Sequence, residues 1–187
     1  QVLVNFALER LLYRLSISDY ADRFVLKGAL LFRLWFDLPQ RPTRDIDFLG
    51  FGEADPEQIK IIFMQLAQMS LEDGLNFLAE SVTSEPIRKS AGYPGIRVRF
   101  QASLDNARIP IQCDIGFGDA ITPSVVASEF PTLLDLPAPV LRVYLNPTAG
   151  EYDRNYWRDA SNEFTALQTV KMKDLFDEPT RVYSRPV

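Results

Sequence analysis

Two segments decide how the chain folds: FVLKGALL at residues 24–31 and RPTRDIDFLG at residues 41–50. In the first, the apolar residues FVL are typical of a short buried strand. Gly28 separates this strand from an apolar run that continues to residue 36 and predicts a helix. In the second, residues 45–49 predict another strand, which ends at a glycine. A strand, a glycine turn, a helix and a second strand in this order favour a mixed α/β domain.

The composition excludes several classes of protein. With 187 residues, 47% hydrophobic and 24% charged, the chain is long enough for one domain with a real core, or one domain with a small appendage. Histidine is absent, which excludes Ser-His-Asp and Cys-His triads and every His-ligated metal site. The single Cys113 excludes an internal disulfide and a Cys-based zinc site. Cys113 is interpreted as a small core residue, and one cysteine favours a reducing, cytoplasmic location.

Charge and hydropathy exclude further classes of protein. The net charge of −5 argues against a protein that binds nucleic acid over its whole surface, but not against a local basic groove. Charged residues interrupt every apolar stretch before it reaches the roughly 20 residues of a membrane helix, so no membrane association is expected. No signal peptide is visible. The chain begins at Gln1 rather than at a methionine, so we expect residues to precede it.

The rest of the chain predicts further helices and strands. Apolar residues at helical spacing predict a helix over 2–17, with Glu9, Arg10 and Arg14 on its opposite, polar face. A second helix is predicted from Asp55, as its N-cap, to about residue 72, with Gln58 completing a capping box. The predicted strands are 77–84, 95–104, 108–117 and 140–144, and the second and third of these form a hairpin.

We therefore predict an α/β (α+β) fold, a mixed β-sheet flanked by helices, in two parts. Residues 1–145 form the core. Residues 146–187 form a C-terminal segment that is partly irregular, with a short helix near 164–177 where helical periodicity returns.

Three aspartates are the main candidates for chemistry. Asp45 and Asp47 are two positions apart in a predicted strand, so both point to one face while Ile46 points to the other. Two carboxylates this close repel each other unless one is protonated or a cation lies between them. Asp114 lies on the polar face of its strand, which we expect to pair beside the first. Three such carboxylates would suit one or two Mg²⁺ ions and phosphoryl transfer.

Each of these features also has a plain structural interpretation. Asp45 and Asp47 are about as well explained as solvated residues on an exposed strand face. Gly28 suits an ordinary strand–helix turn, or a close approach of the backbone to a phosphate. Arg97 and Arg99 share one strand face and are more often solvated than part of a phosphate groove. Arg41 and Arg44, just before the aspartates, are more evenly balanced between the two interpretations; the aromatic residues Tyr152, Tyr156 and Trp157 are taken as packing surface.

Taken together, these motifs resemble a known family. The string 24–31, followed by Arg-Pro-Thr-Arg-Asp-Ile-Asp-Phe at 41–48, resembles the opening motif of the polymerase-β-like nucleotidyltransferase superfamily. More narrowly it is similar to the AbiEii/AbiGii nucleotidyl transferase toxins, which read Lys-Gly-Gly, an apolar helix and Arg-x-Ser/Thr-x-Asp-hydrophobic-Asp. The segment DIGFGD at 114–119 is similar to the family's third-carboxylate segment, and KMKDLFD at 171–177 to its late Lys-Asp-x-x-Asp helix.

The resemblance implies a nucleotidyltransferase core that uses a nucleoside triphosphate and Mg²⁺, in a toxin that modifies RNA and is paired with an antitoxin. By position, Asp45, Asp47 and Asp114 would be the catalytic, metal-binding carboxylates. Asp114 would be the third ligand or the base for the attacking hydroxyl. The nucleotide-binding residues would be Lys27, Gly28, Ala29, Thr43, Arg44, Lys173 and Asp174.

Two departures from the family pattern leave an alternative open. Ala29 stands where Gly or Ser is usual, so no hydroxyl is available there for phosphate. The Ala-Glu-Lys helix that family members carry after the segment equivalent to 140–144 has no counterpart in 145–162, and a full-length member continues into a larger helical half. The alternative is a degenerate, non-catalytic module that binds a nucleotide or a partner. A third hypothesis, a metal-dependent hydrolase, rests on the carboxylates alone.

Overall fold

The computed structural model describes residues 1–35, 43–88, 94–118 and 125–144. Within these ranges there are three α-helices, α1 (Val2–Ser16), α2 (Phe32–Trp35) and α3 (Pro56–Gln68). The strands in the same ranges are β1 (Phe24–Lys27), β2 (Ile46–Gly50), β3 (Leu75–Arg88), β4 (Pro94–Leu104), β5 (Ala107–Phe117), β6 (Val125–Glu129) and β7 (Val140–Tyr144).

The strands of the described ranges form one mixed sheet in the order β3-β4-β5-β2-β1-β7-β6. The pairs β1–β7 and β2–β5 are parallel, and the other neighbouring pairs are antiparallel. This confirms the predicted mixed α/β fold and the hairpin of β4 and β5. β6 was not predicted, because Val125–Glu129 is short and carries only one side chain that is fully buried.

Apolar residues at alternate positions along the strands form a core on one face of the sheet. Phe63 of α3 packs edge-on against Phe24 of β1 and Phe100 of β4, with ring centroids 6.0 and 6.2 Å apart. Phe24 also contacts Phe48 of β2 at 5.5 Å. Since side chains alternate along a strand, the neighbour of Phe48, Asp47, projects from the opposite face. The core thus determines which face carries the aspartates.

The polar side of α1 is buried, contrary to expectation. Arg10 and Arg14 both bind Asp73, whose carboxylate accepts hydrogen bonds of 3.1 Å from Arg10 Nε and 2.6 Å from Arg14 Nη1. Glu9 Oε2 accepts a hydrogen bond from the amide of Leu133 at 2.8 Å. None of these α1 side chains could be recognised as buried from the periodicity of the helix, because their partners lie far away in sequence.

The other differences from expectation concern helix ends. The residues after Gly28 form a 3-10 turn, Gly28–Leu31, before α2 begins, and no side chain caps this turn. Asp55 caps α3 as predicted, but its carboxylate accepts a hydrogen bond from the amide of Glu57. The predicted capping-box partner Gln58 instead accepts a hydrogen bond from Arg23 at 3.4 Å. α3 ends at Gln68 rather than near 72, because the next residue is extended.

The C-terminal predictions lie outside the described residues. Residues 145–187 are not described, so the boundary at 145 and the helix near 164–177 stay predictions. None of the helices in the described ranges combines the length and the hydropathy that crossing a bilayer requires.

Candidate active site

Strand β2 brings two of the candidate aspartates together. It lies between β1 and β5, where Asp47 is in register with Lys27 on one side and Asp114 on the other. Residues that are directly paired in neighbouring strands project to the same face of a sheet. Asp47 and Asp114 therefore lie side by side, and the predicted pairing of their strands is confirmed.

Gly28 is packed directly onto the carboxylate of Asp47. Its φ is +74°, a left-handed conformation that side chains disfavour. A Cβ atom added at Gly28 would lie 2.2 Å from Asp47 Oδ2 and 2.8 Å from Asp47 Cβ. Glycine is therefore required here on both conformational and steric grounds. Its backbone is exposed to solvent beside the carboxylate, which leaves room for a ligand to approach both.

Asp45 lies immediately before β2 and is held by a neighbour in sequence. The hydroxyl of Thr43 donates a hydrogen bond of 3.0 Å to Asp45 Oδ1. The carbonyl of Thr43 in turn accepts a hydrogen bond of 2.8 Å from the side-chain amide of Gln1. Asp45 and Asp47 are both partly exposed. Thr43, which the family resemblance assigned to the nucleotide, thus positions a carboxylate.

Asp114 is bound by an arginine from the neighbouring strand. Arg97 Nε donates to Asp114 Oδ1 at 2.7 Å, and Arg97 Nη2 donates to Oδ2 at 2.6 Å. This is the parallel, two-bond geometry in which guanidinium recognises carboxylate most strongly. The side chain of Arg97 is 29% exposed and that of Asp114 is 12% exposed. The expectation that Arg97 is a solvated side chain was therefore wrong.

The electrostatics agree with this pairing. The hydrogen bond to Asp114 raises the pKa of Arg97, and the negative charges of Asp114, Glu85 and Asp45 act in the same direction, although partial burial opposes them. Burial raises the pKa of the Cys113 thiol, and the charges of the three candidate aspartates raise it further. All three carboxylates thus act on one point in the core, and Cys113 is the inert core residue that was expected.

A row of charged side chains crosses five strands in register. From β3 to β1 the row consists of Glu85, Arg97, Asp114, Asp47 and Lys27. Opposite charges alternate along it except at one step, where Asp47 and Asp114 adjoin. Like charges directly opposite each other on neighbouring strands are destabilising. This step, beside Gly28, is therefore where the sheet favours an added positive charge.

The residues fit a divalent cation in part. Carboxylate oxygens are the ligands that Mg²⁺ prefers. Asp45 and Asp47, which are both partly exposed, supply such oxygens. Asp114, however, has both oxygens engaged by Arg97. Accordingly, within the part of the chain that the structure describes, no group of three metal-ligating side chains is arranged to hold a metal ion.

A groove opens next to the acidic residues. Its volume is about 630 Å³, and polar side chains along it include Arg44, Asp45, Thr83, Arg99 and Gln112. Asp45, two positions before Asp47 of the row, lines the groove; among the described residues that line it, neither Asp47 nor Asp114 appears. Arg44 and Arg99 give the groove two guanidinium groups that could bind an anion, whereas apolar residues such as Phe100 and Ile111 form much of its wall. Arg99 is also bound to Glu85 and Gln112, so it too is less free than a solvated arginine.

Some of the remaining predicted site residues lie near the charged row or the groove, and the others lie outside the described residues. Lys27 closes the charged row, Ala29 follows Gly28 in the 3-10 turn, and Arg44 is exposed at the groove. Arg41, Lys173 and Asp174 lie outside the described residues, so their roles stay predictions. The contact between Arg97 and Asp114 was not predicted from the sequence. Its alternation with apolar residues placed it on the polar face but gave no information on the strand beside it.

Solved structures that align with this chain include two from H. pylori. A structure described as a putative nucleotidyltransferase from H. pylori aligns with a TM-score of 0.50 and 13% identity, over 97% of this chain and 78% of that chain. The structure of JHP933 from Helicobacter pylori aligns with a TM-score of 0.47 and 14% identity, over 82% of this chain. The alignment spans 56% of the length of JHP933. Among curated proteins, none matches closely enough to count as a relative.

A family model gives the more specific result. The model of the nucleotidyl transferase AbiEii toxin of type IV toxin–antitoxin systems matches residues 10–147, which is most of the chain and includes Gly28, Asp45 and the charged row. The chain therefore belongs to the AbiEii nucleotidyl transferase toxin family.

Proposed function

We propose that this protein is a metal-dependent nucleotidyltransferase that moves a nucleotidyl group from a nucleoside triphosphate to a hydroxyl acceptor on RNA. It acts in the cytoplasm as the toxin of a toxin–antitoxin pair, and its activity is opposed by a cognate antitoxin protein. Family membership supports the reaction class. The nucleoside triphosphate, the RNA acceptor and the Mg²⁺ ion are what the family resemblance implies, and the carboxylates of the site are compatible with the metal.

The observation that carries the proposal is the contact between Gly28 and Asp47 beside Asp114. The backbone of Gly28 touches the Asp47 carboxylate so closely that no side chain fits. Asp114 adjoins Asp47 in register on the next strand. An acidic pair next to an exposed glycine turn suits a triphosphate that arrives with a divalent cation, because the cation offsets the charge of both.

Each residue has a defined role in the proposed reaction. Asp45 and Asp47 would hold Mg²⁺, which when bound neutralises charge on the triphosphate. The backbone at Gly28 and Ala29 lets the phosphates approach closely, since neither residue has a large side chain. Asp114 would accept the proton of the attacking hydroxyl once Arg97 no longer binds both of its oxygens. The hydroxyl oxygen bonds to the α-phosphorus, and the bond from that phosphorus to the leaving pyrophosphate breaks. Catalysis of this kind depends mainly on positioning and charge neutralisation.

The groove supports a polymeric acceptor. Arg44 and Arg99 line it, together with neutral polar side chains such as Thr83 and Gln112. Guanidinium groups along a groove bind phosphate groups of a nucleic acid backbone in an ionic-strength-dependent way. The net charge of −5 is compatible with this because the positive charge is local.

One observation favours a second function, a nucleotidyltransferase fold that binds a nucleotide or a partner without catalysis. Arg97 binds both oxygens of Asp114, the residue that would be the base. If that pair never separates, the site has two usable carboxylates and no base, and binding is all that remains.

The test uses the purified chain with Mg²⁺, each α-labelled nucleoside triphosphate and total RNA. The wild type should transfer label to RNA, and Asp47→Asn should reduce transfer by at least about 100-fold, because positioning and charge neutralisation of the triphosphate depend on it. Asp19→Asn, at an exposed aspartate in the turn after α1 that belongs neither to the row nor to the groove, is the matched control and should transfer normally. Nucleotide binding by the wild type without transfer to any acceptor would refute the catalytic proposal in favour of the binding module.

A further inference from the structure

Arg97 binds Asp114 at the place in the row where two carboxylates, those of Asp47 and Asp114, are adjacent. Asp114 adjoins Asp47 in register, and a positive charge is needed near both. In the described structure the guanidinium of Arg97 supplies positive charge at Asp114, since it donates one hydrogen bond to each Asp114 oxygen, at 2.7 and 2.6 Å, and Lys27 is in register with Asp47 on its other side. A divalent cation shared by Asp47 and Asp114 would serve the same purpose.

The guanidinium and a divalent cation hinder each other at Asp114. Each carboxylate oxygen keeps a further lone pair, but a cation bound there would lie next to a permanent positive charge. Arginine cannot relieve that repulsion by losing its proton. The pKa of Arg97 is raised further by its acidic neighbours. The guanidinium must therefore move if Asp114 is to bind a cation strongly.

A second acceptor for Arg97 lies on its other side. Glu85 of β3 is in register with Arg97 of β4, just as Asp114 of β5 is. The Glu85 side chain is 55% exposed and is bound by Arg99, so it can accept a second arginine without new burial. Arg97 thus lies between two carboxylates on the same face and can exchange one for the other by a change of rotamer.

We propose that Arg97 is an internal counter-cation, which holds Asp114 in the ligand-free protein, competes with the divalent cation for it and transfers to Glu85 when the cation binds. The inference rests on the proposed function only in assuming that the acidic residues bind a divalent cation. It makes Arg97 a positioning residue that sets how readily the site is completed, and not a residue that touches the reacting atoms.

The test is calorimetric titration of the full chain with Mg²⁺, and with Mn²⁺ as a second probe, in the absence of nucleotide. Removing the competitor with Arg97→Gln should tighten cation binding by about tenfold, the order expected for losing a hydrogen-bonded charge at a partly exposed site. Arg108→Gln, the matched control at an exposed position near the start of β5 and away from the row, removes an equal charge and should change affinity by less than about twofold.

A second variant tests the transfer of Arg97. Glu85→Gln, at an exposed position where folding is not at risk, removes the alternative partner and should weaken cation binding by about threefold, since an exposed ion pair contributes less than 1 kcal/mol. Unchanged affinity in Glu85→Gln would overturn the transfer to Glu85.

Two other results would overturn the competition itself. If Arg97→Gln binds the cation as the wild type does or more weakly, Arg97 orients Asp114 instead of competing for it. If no variant binds either cation, there is nothing to compete with. Arg97→Lys keeps the charge but loses the two-bond fork, so its cation affinity should lie between those of the wild type and Arg97→Gln. This variant replaces Arg97→Gln in the titration if Arg97→Gln does not fold.

The same titration separates this inference from the proposed function. Tighter binding in Arg97→Gln without transfer of label by the wild type would support the counter-cation and refute the enzyme. Transfer of label with unchanged binding in Arg97→Gln would support the enzyme and refute the counter-cation.

Discussion

Replacing Gly28 with alanine should damage the site and the fold together, for two separable reasons. At φ +74° an alanine adopts a left-handed conformation, which costs about 1–2 kcal/mol. The added methyl group would also lie 2.2 Å from Asp47 Oδ2, 2.8 Å from its Cβ and 2.9 Å from its Cγ. Rotation of the carboxylate relieves the first contact but not the second, because the Cβ position is set by the backbone of β2.

The turn at Gly28 must therefore move away from β2, and overpacking of this kind costs a further ~1–3 kcal/mol. Together the two effects give a loss of about 2–5 kcal/mol in the free energy of unfolding, measured by urea titration. Cation affinity should fall as well, since Asp47 is displaced.

Gly74→Ala is the matched control. Gly74 has the same φ of +74°, but its added Cβ would meet only the end of the flexible Leu104 side chain, at 3.2 Å. Gly74→Ala should therefore lose about 1–2 kcal/mol, the conformational part alone, and bind cations normally. Equal losses in the two variants, within ~0.5 kcal/mol, would refute the claim that the contact with Asp47 requires glycine.

Two further predictions concern the core. Asp73→Asn should lose about 3–5 kcal/mol of stability, because it leaves the buried Arg10 and Arg14 without a counter-charge; a loss below ~1 kcal/mol in a urea titration would contradict this. Burial alone would raise the pKa of Asp73, but hydrogen bonds from both arginines outweigh it and the net shift is downward. The wild type should therefore keep this stabilisation at neutral pH and lose it as the pH falls through the lowered pKa, below the ordinary value of about 3.9, whereas Asp73→Asn should show a smaller loss in acid. Cys113 is fully buried and its pKa is well raised, so its thiol should react with a disulfide reagent in urea but not in the native protein at pH 8; stoichiometric labelling of the native protein within minutes would show that β5 opens.

Elements with local causes could be predicted from the sequence. α1 and α3 follow from apolar residues at helical spacing, and α3 begins at Asp55 because an aspartate there accepts a backbone hydrogen bond. The hairpin of β4 and β5 follows from alternation on both sides of a short polar turn. These features depend on residues within a few positions of one another.

Features with distant partners could not. The buried charges of α1 depend on Asp73, about 60 positions away, which no helical period can indicate. The two-bond contact of Arg97 with Asp114 depends on the register of β4 against β5 and on both side chains. Alternation identified the polar face of each strand but not what faces it across the sheet, and so Arg97 was expected to be solvated.

By itself, the sequence determined on which face of their strands the candidate residues lie, because strand and helix periods are properties of the local backbone; their role in catalysis stays a prediction. The tertiary structure alone decided that Asp47 and Asp114 are neighbours, that Gly28 contacts Asp47, and that Arg97 binds Asp114. The physical reason is that strand order and register are set by packing the whole core, so charges that meet across strands are the outcome of many distant contacts.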